Sequence, residues 1–327
     1  MSGPVFLTGG TGFVGGAVLR RLIADGREVR ALARSEEGAE ALAALGAGVV
    51  RGDLFDHGAL LSGMRGCATV FHTAGVNAMC LRDPGPMLRV NIDGACAVVR
   101  AAAAAKVARV VHTSSAATIG ERRGEIGREG TPHRGTFLSD YERSKFLGER
   151  NVLALAERLR VSVVSVNPSS VQGPGRVEGS ARLLLEIVNG RLPVLVNTWL
   201  SVVDVDDCTA AHLLAEREGI PGHRYLVSGA SFDVRTAVEL LRAASGRPGR
   251  VWFAPRVLAT AGGVLIGASV RRRGICPETV RTLLHGHRFD ASHAERELGL
   301  RYTPVEDTIH RTLEWYAQRG LGPAPIG

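Results

Sequence analysis

Short apolar runs alternate with amphipathic stretches through the first half of the chain. Pro4-Val5-Phe6-Leu7-Thr8 reads as a buried strand, and Gly15 to Asp25 as a helix with Val18, Leu19, Leu22 and Ile23 at helical spacing. Glu28 to Ala33 is the next strand and Ala39 to Leu45 the next helix. Strands then follow at Val49-Val50, Val70-Phe71-His72, Val110-Val111-His112 and Val161 to Val166, with helices near Leu60, at Pro86 to Ala105 and at Ser139 to Leu159. Such alternation predicts a parallel sheet with right-handed crossovers.

Beyond Asn167-Pro168 the rhythm is irregular. Helices are predicted near Arg182 to Asn189, Ala210 to Arg217, Arg235 to Ala244 and Val305 to Arg319. Val202-Val203 and Tyr225-Leu226-Val227 are expected to rejoin the main sheet as strands. The chain therefore divides into residues 1–170, with 201–230 rejoining them, and a smaller region of 171–200 and 231–327. No internal repeat or low-complexity linker interrupts it. The apolar stretch Val257 to Val270 is too short to span a bilayer and is broken by glycines, so it reads as a buried helix or a pocket wall.

Composition narrows the class. Of 327 residues, 45% are apolar and 22% charged, which suits a globular chain with an ample core. The net charge of +8 comes from scattered arginines, clustered only at Arg271-Arg272-Arg273, so no nucleic-acid partner is expected. Lysine occurs only at 106 and 145. The five cysteines (Cys67, Cys80, Cys96, Cys208, Cys276) form no C-x-x-C pair, which predicts neither a disulfide framework nor a zinc site and places the chain in a reducing cytoplasm. Met1-Ser2-Gly3-Pro4 leads directly into a strand, without the charged segment of a signal peptide.

Thr8-Gly9-Gly10-Thr11-Gly12-Phe13-Val14-Gly15 lies between the first strand and the first helix, where a glycine triplet carries meaning. Gly9 permits the sharp turn, Gly12 lets a pyrophosphate approach, and Gly15 lets helix and strand pack closely. Thr11, Gly12, Phe13 and Val14 then surround the phosphates at the helix start. The fold expected is a Rossmann-type, doubly wound parallel α/β sheet with a smaller C-terminal substrate-binding region. An NAD site usually carries Asp or Glu at the end of the second strand. Here the chain reads Ala33-Arg34-Ser35, which suits a 2′-phosphate and makes NADP(H) the preferred cofactor, with NAD(H) the second choice through Glu36 or Glu37. Asp53 and Leu54 follow the third strand and fit the adenine, while Thr73, Ala74 and Gly75 are small enough for the cofactor to pass.

Tyr141 and Lys145 stand four apart at a helix start and address one ligand. A free tyrosine has a pKa of about 10, and a neighbouring ammonium is expected to lower it. With so few lysines, one at this spacing is informative. Hydroxyls just past a strand's C-terminal end polarise a substrate oxygen, and of Ser114 and Ser115 the latter is the candidate.

These residues resemble the extended short-chain dehydrogenase/reductase family, within the NAD-dependent epimerase/dehydratase superfamily. The resemblance rests on the glycine turn at 8–15, Asp53-Leu54, Asn91, Ser114-Ser115-Ala116, Tyr141/Lys145 and Asn167 to Pro174. It implies that Tyr141 exchanges the proton, Ser115 orients the carbonyl, Lys145 holds ribose and tyrosine, and Pro168, Ser170 and Val171 lie beside the nicotinamide. Sugar dehydratases of this kind carry Asp-Glu after the catalytic hydroxyl, whereas this chain has Ala116-Ala117. Val29 to Arg34, the His72-Thr73-Ala74 loop and Tyr141 to Lys145 look like the dihydroflavonol-reductase-like branch. The expected activity is NADPH-dependent reduction of a ketone or aldehyde in a fairly apolar small molecule. The alternatives are a sugar-nucleotide epimerase with transient hydride transfer and a non-catalytic NADP-sensing regulator. Met79, Cys80, Leu81, Trp199 and Leu200 are candidate substrate walls, and Arg176, Arg182 and Arg191 a candidate diphosphate grip. No membrane span is expected, and the assembly is a monomer or homodimer.

Overall fold

A computed structural model describes residues 3–247, 249–255 and 276–326. The apolar stretch at 257–270 and the arginine cluster at 271–273 lie outside the described residues. Strands in chain order are β1 (Val5–Thr8), β2 (Val29–Ala33), β3 (Gly48–Arg51), β4 (Thr69–His72), β5 (Arg109–Thr113), β6 (Val163–Pro168), β7 (Ser170–Gln172), β8 (Val194–Val196), β9 (Trp199–Asp204), β10 (Arg224–Val227), β11 (Ala230–Asp233) and β12 (Trp252–Ala254).

The main sheet has seven parallel strands in the order β10-β6-β5-β4-β1-β2-β3. From β1 the chain steps outward to β2 and β3, then crosses back to β4 on the other side of β1. Thr8 therefore pairs with His72, and a crevice opens above the two strand ends. All four residues of β1 are buried because helices cover both faces. Alternation along β1 sends Val5 and Leu7 into one core, with Leu19, Leu22 and Ala211, and Phe6 into the other, with Leu60, Val98 and Val152. A third core joins Val188, Val238, Leu241, Leu313 and Tyr316 beneath the C-terminal region.

Three expectations are corrected. Val202-Val203 does not return to the main sheet. It belongs to β9, which lies between β7 and β11 in a separate three-stranded sheet and pairs with Ser170 and Val171. The edge of β6 is already occupied by β10, which places Tyr225-Leu226-Val227 as expected. The helix expected over Pro86 to Ala105 is divided into Gly85–Leu88, a π-helical turn at Arg89–Gly94, and Ala95–Ala104. Finally, Cys80 and Cys276 form a disulfide although they stand 196 residues apart. Local cysteine spacing carries no information about such a pair, since tertiary folding alone brings their Cα atoms to 5.7 Å. Cys67, Cys96 and Cys208 are buried free thiols. Among the described residues, no helix is long and apolar enough to cross a membrane.

Candidate active site

The glycine turn is a close-packed cradle. Gly9 has φ +77°, and a Cβ there would lie 2.5 Å from the Ala74 nitrogen. A Cβ on Gly15 would lie 2.2 Å from both the Gly9 carbonyl oxygen and Thr73 Oγ1. Gly12 caps the Phe13–Ala24 helix without any side-chain bond to its first N–H groups. Uncapped N–H groups at a helix start are the donors that anions such as a pyrophosphate use in general. Thr73 Oγ1 donates to the Thr8 carbonyl at 2.7 Å, locking the two strand ends together. Below them Thr8 Oγ1 meets His72 Nδ1 at 2.7 Å, and His72 stacks on His112. Burial pulls His72 down to about 3, so this ring is a neutral floor at physiological pH.

At the ends of β2 and β3, Arg34, Gly52, Asp53, Phe55 and Asp56 line an open cavity of about 430 Å³. Ser35 is used as a helix cap, accepting from the Gly38 N–H at 3.2 Å. Glu36 pairs with Arg51 at 3.2 Å. Arg34 has no ion-pair partner among the described residues. Asp53 Oδ1 accepts from the backbone N–H groups of Phe55 (2.7 Å) and Asp56 (3.1 Å), leaving its other oxygen for a ligand. Leu54 is buried beneath the same turn.

The candidate Ser–Tyr–Lys residues lie past β5. Ser139 caps the Asp140–Leu159 helix by accepting from the Glu142 N–H, which sets Tyr141 and Lys145 on its first turns. Burial raises Tyr141 above its ordinary value, with the neighbouring Ser115 and Arg176 opposing. Lys145 was expected to lower the tyrosine. Its Nζ instead donates to the Thr113 carbonyl at 2.8 Å, and it is not among the groups that shift Tyr141. Burial brings Lys145 itself down to about 8, with Glu149 opposing. Ser114, the rejected alternative, is buried with no hydrogen-bond partner for its hydroxyl.

Two supports were not deduced from the residues themselves. Asn91 sits in the π-helical turn, where its Nδ2 donates to the Val76 carbonyl (2.9 Å) and Ser144 Oγ (2.8 Å) and its Oδ1 accepts from the Val76 N–H (2.8 Å). A Cβ on Gly148 would lie 2.3 Å from the Asn91 carbonyl, so the turn packs directly on the catalytic helix. Glu149 is buried and accepts from Thr118 Oγ1 (3.2 Å), Ser165 Oγ (3.0 Å), Arg224 Nη1 (3.1 Å) and Asn167 Nδ2. Asn167 Nδ2 also donates to the Ser115 carbonyl at 3.2 Å. The signal for Glu149 was its spacing of four from Lys145, on the same helical face.

The other candidates disperse. Val171 is buried, and Ser170 bonds Ser180 and Gln172 rather than standing free. Cys80 is disulfide-bonded, Leu81 is exposed, and Trp199 carries Arg288 over its ring. Arg191 pairs with Glu186 and Arg182 is exposed. Only Arg176 reaches the site. It donates to the Val171 carbonyl at 3.0 Å and lines a second cavity of about 290 Å³ with Phe13, Asn77 and Gly175. Glu278 also contributes near the catalytic helix, accepting from the N–H groups of Cys80 and Asp140, each at 3.0 Å.

A switch-point crevice with a glycine cradle, a Ser–Tyr–Lys set at one end and an arginine at the other define an NAD(P)-dependent oxidoreductase of the extended short-chain dehydrogenase/reductase type. The sequence pattern of the NAD dependent epimerase/dehydratase family matches residues 5–228, and the chain belongs to that family. It is 31% identical over 331 residues to "Sterol demethylase protein B" of Methylococcus capsulatus, covering 96% of this chain and 98% of that protein. It is 29% identical over 341 residues to a "Putative dihydroflavonol 4-reductase" of Synechocystis sp., covering 98% and 96% respectively. The crystal structure of gox2253 superposes with a TM-score of 0.86 at 28% identity, covering 97% of this chain and 99% of that one.

Proposed function

We propose that the protein is an NADPH-dependent reductase of a ketone or aldehyde in a fairly apolar small molecule. The observation that carries this reading is the capped helix that sets Tyr141 and Lys145 on its first turns, with Lys145 Nζ donating to the Thr113 carbonyl at the C-terminal end of β5. Ser115 follows that strand end, and its hydroxyl together with that of Tyr141 would polarise one carbonyl oxygen. A bound nicotinamide supplies the hydride to the carbonyl carbon. Ser115 orients the carbonyl, Tyr141 gives its proton to the oxygen, and solvent reprotonates the tyrosine. Lys145 would hold the nicotinamide ribose, with Pro168, Ser170 and Val171 beside the ring. Gly9, Thr11, Gly12, Phe13, Val14 and Gly75 would surround the phosphates and the passing dinucleotide.

Arg34 supports NADP over NAD, because among the described residues no carboxylate pairs with it while Glu36 is held by Arg51. The named reductase among the relatives supports net reduction. Substrate would lie between the seven-stranded sheet with its helices and the region that carries β7, β9 and β11. The second reading, sugar-nucleotide epimerisation, is favoured by Arg176, whose guanidinium borders the Phe13 cavity and suits a diphosphate. A cytoplasmic location, as a monomer or homodimer, belongs to the same proposal.

The test is incubation of purified protein with NADPH or NADH and a panel of ketones, aldehydes and UDP-sugars. Net oxidation of NADPH with a carbonyl compound supports the reductase. Sugar inversion without net oxidation replaces it with the epimerase.

A further inference from the structure

We propose that Glu121, His285 and His287 form a binding site for one divalent transition-metal ion of the zinc type. The site lies outside the Ser115–Tyr141–Lys145 centre and does not depend on the reductase reading. Glu121 follows the short turn after Ser115, where Gly120 takes φ +63°. His285 ends the Pro277–His285 helix, and Gly286 (φ +75°) swings the chain so that His287 faces the same carboxylate. Glu121 Oε1 lies 2.6 Å from His287 Nδ1 and 3.5 Å from His285 Nε2. All three donor atoms fall within 4.8 Å of one another, and the two rings are 4.9 Å apart.

An ordinary Glu–His ion pair leaves this cluster incomplete. His287 satisfies one carboxylate oxygen, yet Glu121 Oε2 and His285 Nε2 are buried with no hydrogen-bond partner. Glu121 is only 1% exposed and His285 9%. Buried polar atoms without partners are costly, and one cation shared by the three side chains engages the orphaned His285 nitrogen and balances the charge of the buried carboxylate. The surrounding charges leave room for it. Arg134 donates to the Glu121 carbonyl, but its guanidinium is paired with Glu142, and His133 approaches Glu142 at 3.8 Å.

Two imidazoles and one carboxylate are a borderline-soft donor set, which suits zinc and disfavours magnesium or calcium. Zinc bonds of about 2.0–2.2 Å in a tetrahedron place ligand atoms roughly 3.4 Å apart. The His285–Glu121 separation of 3.5 Å meets that value. The His287–Glu121 pair, at 2.6 Å, opens by under about 1 Å to reach it. Water fills the fourth position. The ion ties the C-terminal segment at 285–287 to the loop that follows the catalytic serine.

The experiment is calorimetric titration of tag-free, EDTA-treated, full-length protein with ZnCl₂, with MgCl₂ as control, followed by X-ray absorption at the zinc edge. One zinc per chain, micromolar or tighter, with nitrogen and oxygen but no sulfur ligands, is the expected result. Glu121→Gln and His287→Ala are each expected to weaken binding at least tenfold, with circular dichroism confirming the fold. Absence of stoichiometric binding, sulfur ligation, or unchanged affinity in both folded variants overturns the proposal. If neither variant folds, stoichiometry and ligand type in the wild-type protein decide it.

Discussion

Lys145 occupies its position at a cost to the fold, and replacing it tests that cost directly. Burial moves its ammonium from 10.5 to about 8, a penalty on the order of 3 kcal/mol for the charged form. Lys145→Met removes the penalty and also the bond to the Thr113 carbonyl, which offsets it by about 1 kcal/mol. The net expectation at pH 7 is stabilisation by about 2 kcal/mol, or a rise in melting temperature of roughly 4 °C. The pH dependence has a defined sign. The folded value lies below the unfolded one, so the penalty is full below pH 8, fades between 8 and 10.5, and is absent above that. Differential scanning fluorimetry of both proteins from pH 6 to 10 reads this out, with the mutant's advantage shrinking as pH rises through 8. A Met variant less stable than wild type at pH 7, with a gap independent of pH, would refute the reasoning. The same variant is expected to lose turnover.

Other outcomes follow from the same geometry. Tyr141→Phe is expected to abolish turnover, at least about 10³-fold, with NADP(H) affinity nearly unchanged in fluorescence titration; a folded variant that loses cofactor affinity contradicts that division of roles. Arg34→Ala is expected to weaken NADPH at least about tenfold while sparing NADH, because the side chain would meet only the 2′-phosphate; equal losses undo the NADP assignment. Gly15→Ala puts a methyl 2.2 Å from backbone and Thr73, so cofactor binding and stability should both fall, the latter by about 1–3 kcal/mol or more. Cys80–Cys276 closes a long loop, and its reduction should cost about 2–4 kcal/mol in a melting experiment; thiol counting that finds five free cysteines under non-reducing conditions removes the bridge.

Much of the molecule was legible along the chain because its causes are local. Alternating periodicity identified β1 through β6 and most helices. The glycine spacing at 9, 12 and 15 announced a turn whose contacts leave no room for Cβ atoms at 9 and 15. The four-residue step from Tyr141 to Lys145 is a property of any helix. What stayed hidden is what depends on distant partners. No local pattern tells β9 to pair with β7 rather than with β6, since the competition is settled by β10 taking that edge. In the π-helical turn Asn91 meets Val76 and Ser144 at once, contacts with segments well away along the chain. Glu149 acquires meaning only when Thr118, Ser165, Asn167 and Arg224 converge on it from four other segments.

The sequence by itself determined the strand–helix rhythm and the glycine turn, and it singled out Ser115, Tyr141 and Lys145 as the proposed reacting set. Each depends on residues within a few positions of one another, where backbone geometry fixes the outcome. The tertiary structure alone decided the Cys80–Cys276 bridge, the charge environment of Tyr141 and the meeting of Glu121 with His285 and His287. Those contacts join segments more than a hundred residues apart, or depend on burial, which no short stretch of chain encodes.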